Sequence, residues 1–340
     1  MKILFIGGTG TISMAITRLL ASRGDELFLL NRGNRNKELP ENVKTIVADI
    51  NDEEAVAKKL LGMNFDCVGD FIGFVPEQIE RDFRLFSGRT KQFIYISSAS
   101  AYQKSPESHI ISEDTPLENP YWEYSRSKIA CENYLMEKYR KDGFPVTIVR
   151  PSHTYDERRV PLGVHGRNGS WQVVKRIREG KKVIIHGDGT SLWTITHNSD
   201  FAKAYAGLIG KPEAIGQAFH ITSDESVSWN RIYQAIADAL GVELKPYYVA
   251  SQTLADISDY DLTGSLIGDK ANSVIFDNSK VKRIVPDFKA EISAEEGVKM
   301  TVKYILEHPE FQTDDPEFDI WCDKVITALE GAKEATRCLK

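Results

Sequence analysis

Cysteine is scarce in this chain, four in 340 residues, and its spacing excludes more than its count. Cys67, Cys131, Cys322 and Cys338 form no CxxC pair and no Cys/His zinc pattern. Cys67 lies in an apolar run and Cys131 in a helical pattern, so buried thiols in a reducing compartment are expected. Long apolar runs are missing as well. None approaches the roughly 20 residues a membrane helix needs, and Met1–Ile6 is too short for a signal-peptide core. A positive balance is also absent: 43 Lys and Arg face 49 Asp and Glu, a formal net charge of −6. That argues against nucleic acid or an anionic membrane as the main partner. Internal repeats and low-complexity linkers are lacking too. These absences imply a globular protein of the cytoplasm, large enough to bury its core without covalent staples.

What is present is a rhythm. Short apolar runs at Lys2–Ile6, Leu27–Leu30, Thr45–Val47, Asp66–Phe71, Phe93–Ile96 and Val146–Val149 read as strands. Helical patterns at Ile12–Leu20, Asp52–Leu61 and Tyr124–Leu135 fall between them. Short buried strands alternating with helices predict βαβ units and a parallel sheet. Right-handed crossovers then give an α/β fold, a Rossmann-type doubly wound sheet whose ligands sit beyond the carboxyl ends of the strands. Beyond about residue 156 the rhythm loosens. Further strands are expected at Val183–Ile185 and Phe219–Ile221, and helices at Ser199–Ile209, Trp229–Leu240, Ala294–Glu307 and Pro316–Leu329. The expected division is a dinucleotide-binding domain of residues 1–155 plus about 194–224. A smaller substrate domain would comprise about 156–193 plus 225–340.

The first strand runs into Gly7-Gly8-Thr9-Gly10-Thr11-Ile12-Ser13. A turn free of side chains lets the backbone approach a pyrophosphate, which then rests at the helix N-terminus. Alone, such a cluster is an ordinary strand-to-helix turn; following a buried strand and opening a helix, it points to a dinucleotide. At the second strand end an NAD site presents an acid and an NADP site an arginine. Asn31 and Arg32 stand there, with Arg35 nearby and no carboxylate, which tilts the choice toward NADP. These arginines could equally be solvated loop residues. Asp49, followed by Ile50 at the third strand end, is placed to meet an adenine amine or to cap the next helix.

The fifth strand ends Ser97-Ser98-Ala99-Ser100-Ala101-Tyr102, and Tyr124-Ser125-Arg126-Ser127-Lys128 opens a helix. Tyr124 and Lys128, four apart, share one helix face. A tyrosine is a poor base at neutral pH unless a nearby cation favours its anion. Lys128 supplies one. Tyr124 could then take a proton from a substrate hydroxyl, with Ser98 bonding the reacting oxygen. A Tyr-x-x-x-Lys spacing is common by chance; its position after the Ser-Ser strand end gives it weight.

Gly7–Ser13, Ser97–Tyr102, Tyr124–Lys128, Arg150-Pro151 with Tyr155, Gly187-Asp188-Gly189, Asp200-Phe201-Ala202 and Asp277–Lys280 together resemble the extended short-chain dehydrogenase/reductase superfamily. The branch they most resemble is the NAD-dependent epimerase/dehydratase family. The resemblance implies that Ser98, Tyr124 and Lys128 are catalytic. It implies that Gly7, Gly10, Thr11 and Ile12 line the pyrophosphate, and that Phe71 and Ile72 touch the cofactor through their backbone. Pro151 and His153 would lie near the nicotinamide, although His153 also reads as a polar loop residue. No metal is expected.

Several positions depart from the family pattern. Ser13 replaces the third glycine, and Gly69-Asp70-Phe71-Ile72-Gly73 replaces the usual His-Leu-Ala-Ala at the fourth strand end. Asp156 replaces a glycine after the Arg-Pro tyrosine. Leu192 and Trp193 stand where the family places an arginine that grips a nucleotide-sugar diphosphate. Arg158, Arg159 and Arg167 could take over that contact or be solvated. The acid pair that follows the catalytic residue in the family's dehydratases is here Ala99 and Ser100, which disfavours elimination. Three functions remain. One is an epimerase of a sugar or sugar nucleotide, and another an NADPH-dependent reductase of a different small carbonyl. The third is a non-catalytic, RNA-associated relative, which the acidic charge disfavours. A small-molecule substrate is expected as partner, with the chain a monomer or a homodimer.

Overall fold

The computed structural model describes residues 1–337, so Cys338 lies outside the described residues. The chain divides into two compact units. The first comprises Met1–Thr154, Thr194–Asp224 and Val274–Ile292; the second comprises Tyr155–Trp193, Glu225–Ser273 and the residues from Ser293 onward.

In the first unit the strands of the main sheet are β1 (Lys2–Ile6), β2 (Glu26–Asn31), β3 (Lys44–Val47), β4 (Cys67–Asp70), β5 (Phe93–Ile96), β6 (Val146–Pro151) and β7 (Gln217–Ile221). They form one parallel sheet in the order β7-β6-β5-β4-β1-β2-β3. Its longer helices are α1 (Thr11–Ser22), α2 (Glu53–Lys59), α3 (Pro76–Phe86), α4 (Glu123–Asp142) and α5 (Asn198–Leu208). Ile3, Leu4, Phe5 and Ile6 of β1 are all fully buried, as a central parallel strand covered on both faces requires. Alternate residues feed two cores. Ile3 and Phe5 join Ile16 and Leu20 of α1 and Phe201, Tyr205 and Leu208 of α5 on one face. Leu4 and Ile6 join Ile79 and Phe86 of α3 and Leu135 of α4 on the other. Strand order reverses between β1 and β4, so a crevice opens above their carboxyl ends, where such sheets bind ligands.

Several features differ from expectation. Helix α3 was not foreseen. Its buried face carries Arg81 and Asp82 among Ile79, Leu85 and Phe86, which breaks the apolar period. Val274–Ile292, expected with the second unit, belongs to the first. Ile275–Phe276 pairs in parallel with Ile110–Ile111, and the Asn278 amide donates to the Thr222 carbonyl at 3.0 Å.

The second unit contains helices Trp171–Arg178, Trp229–Leu240, Ala294–Glu307 and Pro316–Arg337. Its strand Val183–His186 pairs in parallel with Pro246–Val249. Trp193 stacks on Trp229 with ring centroids 5.8 Å apart. Arg176, fully buried, is held by Asp319 and Asp323. Among the described residues, Cys67, Cys131 and Cys322 are buried free thiols. None of the described helices is long and apolar enough to cross a membrane, and no described cluster of His, Cys, Asp or Glu could hold a metal.

Candidate active site

A cleft of 810 Å³ lies above the strand ends of the first unit. Gly7, Gly10, Thr11, Ile12, Asn31, Arg32, Asp49, Ile50, Phe71, Ile72, Ser98, Tyr124, Lys128 and Pro151 all line it. His153 does not. It sits in the short strand His153–Tyr155 just beyond Pro151, outside the lining residues.

At one end the glycine loop is shaped by backbone need. Gly7 and Gly8 hold φ of +100° and +91°, a region that residues bearing a Cβ rarely adopt. A Cβ on Gly8 would also lie 2.5 Å from Leu29 Cδ2. Ser13, the substitute for the usual glycine, is buried, and its Oγ accepts the Gly10 N–H at 2.9 Å. Thr17 Oγ1 donates to the Gly8 carbonyl at 2.9 Å. The loop is therefore pinned from the helix it opens. The first turn of α1 carries no acidic side chain, so its free N–H groups and positive dipole end stay available to an anion. This loop, which has no room for a Cβ at Gly8 and opens a helix whose first turn carries no acid, fits a dinucleotide pyrophosphate.

Along the cleft, Asn31 Oδ1 accepts the Gly33 N–H at 2.8 Å and so shapes the turn after β2. Arg32 and Arg35 flank it on the cleft wall. Asp49 does not cap α2; Asp52 does, accepting the Ala55 N–H at 3.1 Å. Asp49 Oδ1 accepts the nearby Asn51 N–H at 3.0 Å, and Asp49 lines the cleft just beyond β3.

The other end gathers the polar set. Lys128 is buried, its Nζ donating to the carbonyls of Gly73 at 2.7 Å and Ile96 at 2.8 Å. Its ammonium lies 4.8 Å from the Phe74 ring, 4.9 Å from that of Tyr95 and 5.8 Å from that of Tyr124. Burial pulls the Lys128 amine down to about 8, and the negative charge of Asp70 is the largest effect opposing that. Ser98 Oγ is 2.9 Å from Ser100 Oγ, which accepts from Ser125 Oγ at 2.7 Å, so a chain of hydroxyls runs from β5 to α4.

A buried brace beneath this set was not anticipated. Ser97 Oγ donates to Glu132 Oε1 at 2.5 Å. The Arg150 guanidinium grips Glu132 through Nε at 2.9 Å and Nη2 at 2.5 Å, and its Nη1 donates to the Tyr102 hydroxyl at 3.2 Å. The brace ties the segment just after β5 to α4 and β6, and these carry Ser98, Lys128 and Pro151 respectively. Arg150 and the Ser-Ser strand end were visible in the sequence. The partnership with Glu132 carried no local signal, because its members are 35 and 18 residues apart.

In the second unit, Asp156 pairs with Arg158 at 2.5 Å, which engages one of the arginines considered for an anion. Trp193, in the region of the family's anchor arginine, is buried.

The chain is 26% identical over 253 residues to the chloroplast stem-loop binding protein of 41 kDa b of Arabidopsis thaliana, a match covering 71% of this chain and 63% of that protein. It thus spans less than two thirds of that relative's length. It is 21% identical over 290 residues to 2′-dehydrokanamycin reductase of Streptomyces kanamyceticus, covering 85% and 80% of the two chains. Its fold matches that of UDP-glucuronic acid 4-epimerase from Bacillus cereus, solved in complex with NAD. The TM-score is 0.73 at 19% identity, covering 92% of this chain and 98% of that one. The model of the NAD dependent epimerase/dehydratase family matches residues 3–222, and the chain belongs to that family.

Proposed function

We propose that this chain is an NAD(P)-dependent epimerase that inverts a hydroxyl-bearing carbon of a sugar or sugar nucleotide, with Tyr124 as acid/base. The observation that supports it best is the common cleft, with the glycine cradle at one end and Ser98, Tyr124 and Lys128 at the other. Gly7, Gly10, Thr11 and Ile12 would hold the pyrophosphate, Asp49 and Ile50 the adenine, Asn31 and Arg32 the adenosine ribose. Lys128, with a third N–H beyond its two carbonyl bonds, would hold the nicotinamide ribose, beside the backbone of Phe71 and Ile72 and the ring of Pro151. A bound nicotinamide would supply the hydride acceptor and donor. The Lys128 ammonium beside Tyr124 favours the tyrosinate, which takes the proton of the substrate hydroxyl and later returns it. Ser98 Oγ donates a hydrogen bond to the reacting oxygen throughout. Ala99 and Ser100 offer no acid or base to drive elimination, which favours inversion over dehydration. Arg32, with no acid beside it, favours a 2′-phosphorylated dinucleotide.

A second reading, an NADPH-dependent reductase of another small carbonyl, is favoured by Arg32, by the buried Trp193 in the region of the diphosphate anchor, and by the reductase relative. Tyr124→Phe tests the chemistry common to both. It should bind dinucleotide as the wild type does and lose turnover by about 10²–10⁴-fold, the usual contribution of a positioned acid/base. Near-normal turnover would refute the assignment. Binding of neither dinucleotide, with retention of stem-loop RNA at moderate salt, would favour the activity named for the plant relative instead.

A further inference from the structure

Ser100, at one of the two positions where the family's dehydratases carry acids, has no task in the reaction above. It is 3% exposed and lies in the short turn that follows β5. Its polar atoms are all engaged. The N–H donates to Ser98 Oγ at 3.2 Å, and the carbonyl accepts Asn119 Nδ2 at 2.8 Å. The Oγ lies 2.9 Å from Ser98 Oγ and 2.7 Å from Ser125 Oγ. Three hydroxyls therefore form a row, Ser125 to Ser100 to Ser98. The row starts fully buried in α4 and ends on the cleft lining.

A hydroxyl has one proton to give and two lone pairs to receive with. Ser125 is wholly enclosed, and among the described residues its hydroxyl bonds to Ser100 Oγ alone. Ser100 Oγ, nearly as enclosed, has Ser125 and Ser98 as its hydroxyl partners. A buried donor without an acceptor carries its full desolvation cost. Any arrangement in which Ser98 donates to Ser100 strands such a proton. It is the proton of Ser125 if Ser100 passes its own along, and that of Ser100 if it accepts from both sides. One direction strands none: Ser125 donates to Ser100, and Ser100 donates to Ser98. Ser98 Oγ then receives both the N–H and the O–H of Ser100. Its two lone pairs are filled, and its own proton is left for the cleft.

We propose that Ser100 is a positioning residue that fills both acceptor sites of Ser98 Oγ, so that Ser98 can only donate and the substrate atom it meets must be an acceptor. A ketone or alkoxide oxygen meets that demand, and so does a substrate hydroxyl whose own proton faces Tyr124. A substrate group that can only donate, such as an ammonium, does not. Ser125 closes the other route for the Ser100 proton. The benefit to hydride transfer rests on the function proposed above; the direction of the row does not.

The test is therefore read without substrate, by neutron diffraction from crystals of the perdeuterated full-length protein. In the wild type the Ser125 deuterium should face Ser100 Oγ, the Ser100 deuterium should face Ser98 Oγ, and the Ser98 deuterium should point into the cleft. A Ser98 deuterium facing Ser100 Oγ would overturn the proposal. Ser100→Ala keeps the N–H and removes the hydroxyl, so the nuclear density of the Ser98 deuterium should spread over more than one direction. The same single direction as in the wild type would show that the Ser100 hydroxyl does not set it, and would also overturn the proposal. Should that variant not fold, the wild-type map decides alone. Failure of the proposed function would show elsewhere, as near-normal turnover in Tyr124→Phe or absence of dinucleotide binding, with the wild-type deuterium positions as stated.

Discussion

Replacing Glu132 with alanine removes the centre of the brace beneath the site. Arg150 and Glu132 are 5% and 3% exposed, so the guanidinium left behind cannot turn to water. Stranding one member of a buried ion pair costs about 3–5 kcal/mol. The Ser97 hydroxyl also loses its acceptor, adding about 1 kcal/mol. A loss of about 4–6 kcal/mol is expected, a large share of the ~5–15 kcal/mol that usually holds a folded protein together. Urea unfolding followed by circular dichroism measures it. Removing both charges with Glu132→Leu/Arg150→Met should recover most of the loss, since apolar side chains of similar volume often replace a buried pair without net cost. A loss below about 1 kcal/mol in Glu132→Ala, or a double variant worse than the single, would refute the view that the pair is dry and mutually dependent.

Gly8→Ala should weaken dinucleotide binding and cost about 2–4 kcal/mol, because it combines a positive φ with a Cβ pressed against the buried Leu29; calorimetric titration and melting check both. Arg32→Ala should lower NADP⁺ affinity about tenfold or more while leaving NAD⁺ affinity within about threefold, since only the 2′-phosphate would use a charged bond; equal losses for both would remove arginine as the discriminator. His186 and His220 are held at about 4 by burial, below their usual range. Their folded-state values are depressed, so their stabilising contribution is full above about pH 6.5 and is lost as pH falls toward 4, on the order of 3 kcal/mol each. Urea midpoints should therefore drop over that window and drop less in His220→Gln, which cannot be protonated.

The sheet was legible because its strands are short, buried and mostly apolar, and each run is stopped by a glycine, a polar residue or a proline. The candidate site was read partly on the same rule, since ligand-facing residues such as Ser98 and the glycine loop sit just past strand ends, while Tyr124 and Lys128 were read from their spacing on a helix. Ser98, Tyr124, Lys128 and the glycine loop accordingly fell on one cleft, whereas His153, placed by analogy alone, fell outside its lining. What stayed hidden was buried polarity. Arg81 and Asp82 masked α3 because charge on an inner face defeats a hydrophobic period. Gln172 and Arg176, both buried, did the same for Trp171–Arg178. Glu132–Arg150 is a partnership between helix α4 and strand β6, and nothing local in the chain announces which charge will meet which. The placement of Val274–Ile292 turned on a two-residue strand and one asparagine, too little for periodicity to register.

The measurement that bears most directly on the account is nucleotide binding. The purified protein is denatured and any released nucleotide identified by mass; the stripped protein is then titrated with NAD⁺ and NADP⁺. The account predicts that at least one dinucleotide binds, and that Gly8→Ala loses it. Retained NAD(H) would favour epimerisation, in which the cofactor is regenerated in place, and a freely exchanging NADP(H) would favour the reductase. Binding of neither, by a folded wild-type protein, would contradict the central claim.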